Sequence, residues 1–460
     1  MDAILDFVKN FTRTRYEDVP RTAVEVAKKE VLDSLATALG GSSKAGVGEL
    51  VDMVKEWGGN EQSTIIAYGM KCPAPNAAQV NATMIHALDY DDGHSSALVH
   101  IGCIAVSTCF AAAERTGKIN GKEFITAIAL GADFLARLGL ASRPGSSLVK
   151  SGWDLTTLYG FLGAAAMAGR IMGLDEERMV NALGIAYHQC AGNGQSVSDG
   201  ALTKRMGPGL AAKGGITAAL MAERGITGAK NSLEGEFGMF NLYHGGDYDA
   251  KTLTADLGER FEGINVSFKP YPCCGLTHPF IDATLSLMSR HNIKAEQVRD
   301  IIVYGGESAY AALCVPPEVK RAPRTIVDSQ FSAPWTVATA LIKGKVSLED
   351  FTEQAIKWEE ILKISQRVTC RLDPKLSRHG VGPGRVTILM KDGGEYTEEV
   401  EHPLGSIERP MTFEDCVAKF RGCSAYSIKP IPGDTIDKVI ELVKQFERLE
   451  DATQIIRLLG

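Results

Sequence analysis

The period of the apolar positions changes twice along the chain. From the N-terminus to about Gly258 they recur at helical spacing almost throughout. Asp18 and Pro20, an N-cap and early-proline signal, precede Val24, Ala27, Val31, Leu32, Leu35, Ala36 and Leu39, and Gly40-Gly41 stops the run. The same spacing predicts helices over Gly46–Trp57, Pro75–Leu88, Ile104–Arg115, Gly121–Leu138, Leu158–Met172, Asp175–His188, Gly209–Glu223 and Ser232–Phe240. Small residues crowd two of them, at Gly163-Ala164-Ala165-Ala166 and at Gly214 to Ala219, which predicts close helix approach in a packed bundle.

Beyond that point the pattern turns β-rich. Asp300–Tyr304, Gln366–Leu372 and Arg385–Met390 read as strands, and the last runs through Lys391-Asp392-Gly393-Gly394 into Tyr396–Val400, a hairpin with an Asp-Gly turn. Trp335–Leu341 and Leu348–Trp358 read as helices between them. After Pro403 the helical period returns: Thr412 caps Phe413–Phe420, and Asp434 or Thr435 opens a long helix ending in Phe446–Leu459. The expected fold is therefore mainly α. A large all-helical domain is built from residues 1–264 plus 406–460, and a smaller α+β lid domain is inserted over 265–405. No fixed-period repeat stands out.

A length of 460 residues suits two or three domains, and 45% hydrophobic with 23% charged residues is a globular composition. The net charge of −7 argues against nucleic-acid binding, which needs a basic face. The first residues lack the basic-then-apolar pattern of a signal peptide, and the apolar stretches are short and interrupted, so no membrane partner is expected. Ten cysteines are scattered without a CxxC pair, and only Cys273 and Cys274 are neighbours, which suits a reduced, cytoplasmic chain.

Candidate chemistry concentrates in polar islands between the apolar runs. His86-Ala-Leu-Asp89-Tyr-Asp91-Asp92-Gly-His94 sets three carboxylates within four residues at a predicted helix C-terminus, where both the dipole and their mutual repulsion oppose them. Cationic groups are expected to converge there, with His94 and His100 at hand. Thr203-Lys204-Arg205, just before a helix, suits anion binding; a solvated helix start is the plainer alternative. Lys269-Pro-Tyr-Pro-Cys273-Cys274-Gly-Leu-Thr-His278-Pro279 is a rigid turn carrying Lys269 and His278, either functional or purely structural. Asp154-Leu-Thr-Thr157 reads first as an N-cap. Asp89, Asp91, Asp92, His94 and His100 could ligate a divalent cation, but without a second ligand cluster the metal-free reading is preferred. Gly207-Pro208-Gly209 does not follow a strand and so is not a dinucleotide fingerprint, and no Walker motif or nucleophile elbow occurs. Asp89-Tyr-Asp91-Asp92 also fits the Asp-x-Asp-Asp pattern of alkene-protonating cyclases, against which 7% aromatic residues argues.

Taken together, these islands resemble the MmgE/PrpD family over essentially the whole chain. The family includes 2-methylcitrate dehydratases, cis-aconitate decarboxylases and iminodisuccinate epimerases. The match is carried by the aspartate signature, His100-Ile-Gly, Lys204-Arg205, the Lys269 turn and Phe331-Ser-Ala-Pro-Trp335. The resemblance implies an active site between the domains, a homodimer, and no cofactor or metal. Asp89, His100, Lys204 and Lys269 would be catalytic; His94, Asp154, Arg205, Cys274 and His278 would bind a small anionic carboxylate. Gly93, Asp154, Cys274 and Trp335 depart from the decarboxylase members, which carry Thr, His, His and commonly Tyr there. The expectation is a metal-independent hydro-lyase acting on a hydroxy di- or tricarboxylate of 2-methylcitrate type. An epimerase, a cis-aconitate-type decarboxylase and a catalytically silent carboxylate-binding protein are the alternatives.

Overall fold

A computed structural model of the chain describes residues 2–142, 152–378 and 380–460. The chain is mainly α, as its periodicity predicts, and it divides into two compact units, Met1–Val266 with Thr412–Gly460, and Ser267–Met411. In chain order the first unit contributes α1 (Ile4–Arg13), α2 (Arg21–Gly41), α3 (Val47–Trp57), a short hairpin β1–β2 (Ser63–Ile65, Met70–Cys72), α4 (Ala74–His86) and α5 (Gly102–Thr116). It continues with α6 (Gly121–Ala141), α7 (Leu155–Ile171), α8 (Glu176–Tyr187) and α9 (Thr203–Glu223). The second unit follows with α10 (His278–His291), β3 (Val298–Gly305), α11 (Ala333–Lys343), β4 (Val368–Leu372), β5 (Gly384–Met390) and β6 (Glu395–Val400). The chain then returns to the first unit as α12 (Phe413–Ser424) and α13 (Gly433–Lys444).

The first unit is a helical bundle whose inner helices, such as α6 and α7, are buried on nearly every side. Among the described residues α6 alone is long and apolar enough to cross a membrane, yet it is buried among its neighbours and carries a fully buried ion pair. Arg137 Nε donates to Asp133 Oδ2 at 2.8 Å, and its other nitrogens reach the Ala255 and Arg260 carbonyls, satisfying a charge that a bundle core could not otherwise hold. The small-residue runs do what they predict. Gly160 of α7 lies against Ala211 of α9, and a Cβ on Gly215 would fall 2.7 Å from both Ala165 N and Phe161 O. Gly215→Ala therefore overpacks the α7–α9 contact, with an expected loss of about 1–3 kcal/mol measured by urea denaturation. An unchanged midpoint would contradict that packing.

The second unit lays α10 and α11 on a sheet of order β4-β3-β5-β6, with β3–β4 parallel and the other pairs antiparallel. Alternation along β3 buries Ile301 and Val303 against Phe280, Ile281 and Leu287 of α10 and Trp335, Val337 and Leu341 of α11. Trp335 is thus a core residue of this unit. The Asp392-Gly393 turn forms as expected: Gly393 takes φ 95° and Gly394 N donates to Asp392 Oδ1 at 2.9 Å.

Several predicted helices differ. Asp18 sits in a 3₁₀ turn accepting from Arg15 N, and Pro20 occupies the N-cap of α2 instead. Ser232–Phe240 is mostly turn, broken at Gly235 and Gly238, before a short helix over Met239–His244. Leu348–Trp358 is two 3₁₀ turns, with Asp350 accepting from Ser347 N at the start of the first and Thr352 Oγ1 from Ala355 N at the start of the second; helix follows only at Glu359–Ser365. The expected long terminal helix ends at Lys444; a 3₁₀ turn over Phe446–Arg448 follows, and α-helix resumes only over Gln454–Leu458, after Asp451 accepts from Thr453 N. In the other direction, α9 begins at Thr203 rather than Gly209, so Lys204 and Arg205 lie in its first turn and Pro208 falls inside it.

Candidate active site

The aspartate cluster begins just past the end of α4. Asp89 takes φ 53°, a left-handed conformation that Asp tolerates better than most residues, and this turns the chain out of the helix line. The three carboxylates then go to three different places. Asp89 Oδ1 accepts from Lys204 Nζ at 2.9 Å, so the cation in the first turn of α9 meets an anion that offsets the helix dipole. Asp91 is fully buried, and its Oδ2 lies 2.7 Å from His86 Nδ1 and 3.3 Å from His100 Nδ1. Asp92 caps α5: its two oxygens accept from Ile101 N and Gly102 N at 3.0 and 2.9 Å.

His100 is placed by this cap. Residues 94–99 form a tight turn, with His94 N donating to Val99 O and Leu98 N to His94 O, and the turn brings the imidazole back over Asp92. His100 Nδ1 lies 2.6 Å from the Asp92 carbonyl, which can only accept, so Nδ1 carries the proton. Nε2 is then the nitrogen that gains and loses a proton. The His100 backbone N–H is braced by Thr156 Oγ1 at 3.0 Å, from the first turn of α7, and its ring packs edge-on against His86 at 4.7 Å. The side chain keeps 25% exposure, whereas His86 and Asp91 behind it have 4% and 0%.

The electrostatics of the buried layer follow from these contacts. Burial pushes the Asp91 carboxyl up, but His86 and His100 outweigh it and hold the group well below the usual range, so Asp91 is an anion. Burial keeps His86 below its ordinary value and therefore neutral, donating Nδ1–H to Asp91. Asp92 is raised to about 7 by burial and by Asp91, and Glu30 of α2 is raised well above its ordinary value by burial and by Asp92 and Asp33. Both Glu30 oxygens lack a hydrogen-bond partner among the described residues. Folded values raised in this way give stability that is whole below the ordinary carboxylate range and is lost as pH climbs through the folded value, about 7 for Asp92. The melting temperature should fall between about pH 5 and pH 8. Glu30→Gln, which cannot ionise, should flatten that slope in thermal melts; an equal slope would show that Glu30 does not ionise there.

The remaining candidates divide by unit. In the first, His94 is buried and kept below its ordinary value by burial, and its Nδ1 accepts from Ala97 N at 3.1 Å, so it is neutral with the proton on Nε2. Asp154 stands at the N-cap position of α7 without capping it, and its Oδ2 accepts instead from Thr157 Oγ1 at 2.6 Å. Arg205 points elsewhere than Lys204 and donates to the Ala45 carbonyl at 3.1 Å. In the second unit, Lys269 and Cys274 are half-buried on a turn that ends where α10 begins. His278, the first residue of α10, is buried, with Nε2 donating to the Cys273 carbonyl at 3.3 Å and its ring edge-on to Tyr271.

The sequence of this chain matches the MmgE/PrpD N-terminal domain over residues 4–251 and the MmgE/PrpD C-terminal domain over residues 271–445. The chain belongs to the MmgE/PrpD family. It is similar to the cis-aconitate decarboxylase of Aspergillus terreus, 29% identical over 463 residues that cover 96% of this chain and 93% of that one. It is also similar to the cis-aconitate decarboxylase of Homo sapiens, 26% identical over 443 residues covering 95% and 90%. The chain is an enzyme of this family.

In this MmgE/PrpD enzyme, several residues that organise the site carry no isolated sequence signal. His86 belongs to the aspartate signature but lies on the preceding helix, five positions before its partner Asp91. Thr156 looks like an ordinary first-turn residue. Lys419, from α12, is more than 300 positions away, yet its Nζ holds Asp33 at 2.6 Å and the Tyr90 carbonyl, pinning the middle of the signature. Among the described residues, His86, Asp91 and Cys103 offer ligand atoms within 4.8 Å of one another. Within this group His86 Nδ1 is hydrogen-bonded to Asp91, and burial together with Asp91, Asp92 and Asp154 holds the Cys103 thiol well above its ordinary value.

Proposed function

We propose that this MmgE/PrpD enzyme is a metal-independent lyase of small polycarboxylates, in which His100 moves the proton at a carbon next to a carboxylate. The observation that carries the reading is the Nδ1–H of His100 directed at the Asp92 carbonyl, which commits Nε2 to proton transfer. Removing such a proton builds enediolate charge, and Lys204, held by Asp89, is the cation assigned to it. Lys269 is assigned to a second substrate carboxylate and His94 and His278 to supporting contacts, whereas Arg205, turned to the Ala45 carbonyl, is not assigned to the substrate. The anionic Asp91 behind His100 stabilises the imidazolium that forms when Nε2 takes a proton.

Dehydration of a hydroxy di- or tricarboxylate of 2-methylcitrate type is the leading form of this chemistry. The proton leaves to His100 as the hydroxyl leaves from the neighbouring carbon. Decarboxylation of a cis-aconitate-type acid is the second form, favoured by the names of the relatives; there His100 would return a proton to the carbon that loses carbon dioxide. Incubating candidate acids in deuterated water and following them by NMR separates the two. Deuterium uptake with a new alkene supports dehydration, and loss of a carboxylate with one deuteron gained supports decarboxylation. Deuterium uptake with inverted stereochemistry would indicate an epimerase, and binding without exchange would overturn the lyase reading.

A further inference from the structure

Asp154 holds its carboxylate in a way that helix capping does not explain. An aspartate at this position ordinarily accepts from a backbone N–H in the first turn. Here the α7 start makes no side-chain cap, and Asp154 Oδ2 is gripped by Thr157 Oγ1 at 2.6 Å. The neighbouring hydroxyl, Thr156 Oγ1, braces the backbone of His100. One turn of helix therefore orients both the proton-transfer histidine and a carboxylate. On its other side Asp154 meets α9 at Gly207, where a Cβ would come within 3.3 Å of Oδ2 and run into Thr157 Oγ1. Lys204 lies three residues before Gly207, on the same face of α9. Asp154 is half-buried, so it remains accessible to a small ligand.

We propose, resting on the lyase reading above, that Asp154 is a specificity residue. It accepts a hydrogen bond from a hydroxyl or ammonium group on a substrate whose carboxylate is held by Lys204. Asp89 already neutralises much of the Lys204 charge, so this side of the site has little surplus cation to spend on a further carboxylate. A substrate that placed one against Asp154 would meet like charge, whereas a donor would meet an oriented acceptor. The favoured class is a polycarboxylate bearing a hydroxyl or amino group, and acids with no donor besides their carboxylates are disfavoured.

Matched pairs of acids test this, because each pair differs only in the donor: citrate against tricarballylate, and malate or aspartate against succinate. Affinities are read by thermal-shift titration of the full chain, wild type, Asp154→Asn and Asp154→Ala. The wild type should prefer the donor-bearing member of at least one pair by about tenfold or more, since a site built around a substrate hydrogen bond rejects analogues lacking it. In Asp154→Ala that preference should collapse to about twofold or less. Asp154→Asn, which keeps an acceptor without the charge, should retain a preference for a hydroxyl but lose one for an ammonium, which distinguishes the two donors. It also serves if the alanine variant does not fold. A wild type indifferent to the donor, including one that binds none of these acids, would overturn the proposal, as would an unchanged preference in Asp154→Ala. Deuterium exchange is scored separately. Donor-dependent binding without exchange would leave Asp154 as a selector and remove the lyase reading; exchange without donor dependence would do the reverse.

Discussion

Replacing His100 by alanine should abolish proton exchange and turnover while leaving the fold nearly intact. A positioned general base contributes about 100- to 10,000-fold, so kcat should fall by that range, with a smaller change in KM. The structural cost is limited to a partly exposed ring and its bond to the Asp92 carbonyl, about 1 kcal/mol. Asp91 keeps His86 as a partner, and Asp92 keeps both α5 backbone donors, so neither carboxylate is stranded. Activity assays and thermal melts on the same sample check both halves. A variant that keeps full activity, or one that loses activity only by unfolding, would count against the assigned role.

Lys419→Met should have the largest effect on stability, about 3–5 kcal/mol by denaturant titration, although Lys419 lies outside the aspartate signature. Its ammonium is almost fully enclosed, and it pairs with the equally buried Asp33 at 2.6 Å while holding the Tyr90 carbonyl. Removing it leaves a carboxylate in the core beside Glu30 and Asp92, whose own charged forms burial already opposes. Combining it with Asp33→Leu should recover much of the loss, because the stranded charge is then gone. If the double variant is no more stable than the single one, the loss comes from packing or from the Tyr90 contact, not from the ion pair.

The helical bundle was legible in the sequence because period and glycine stops marked most of its helices, and α2, α5, α6 and α7 start or end within a few residues of their patterns. The elements that differ do so locally: glycines break Ser232–Phe240, side chains of Asp350 and Thr352 open 3₁₀ turns where periodicity alone reads one helix, and the last helix ends at Lys444. At the site, the crowding of carboxylates called for cations; Lys204 supplies one to Asp89, whereas Asp91 is met by the neutral imidazole of His86 and by His100. Asp92 breaks that expectation because its partners are two backbone donors, which exist only once residues 94–99 fold back to start α5. Lys419 could not be read from spacing at all, since a contact across the whole chain leaves no periodic trace. Asp154 was legible as a helix start, but not as a carboxylate bound to the Thr157 hydroxyl in place of a backbone N–H.

The tautomer of His100 tests the central claim most directly. With histidines labelled at the ring nitrogens, the His100 signals can be assigned by their loss in His100→Gln and followed at a pH where the ring is neutral. The account predicts the proton on Nδ1 and an unprotonated Nε2, with Nε2 alone moving as the pH is lowered. A neutral His100 carrying its proton on Nε2 would contradict it.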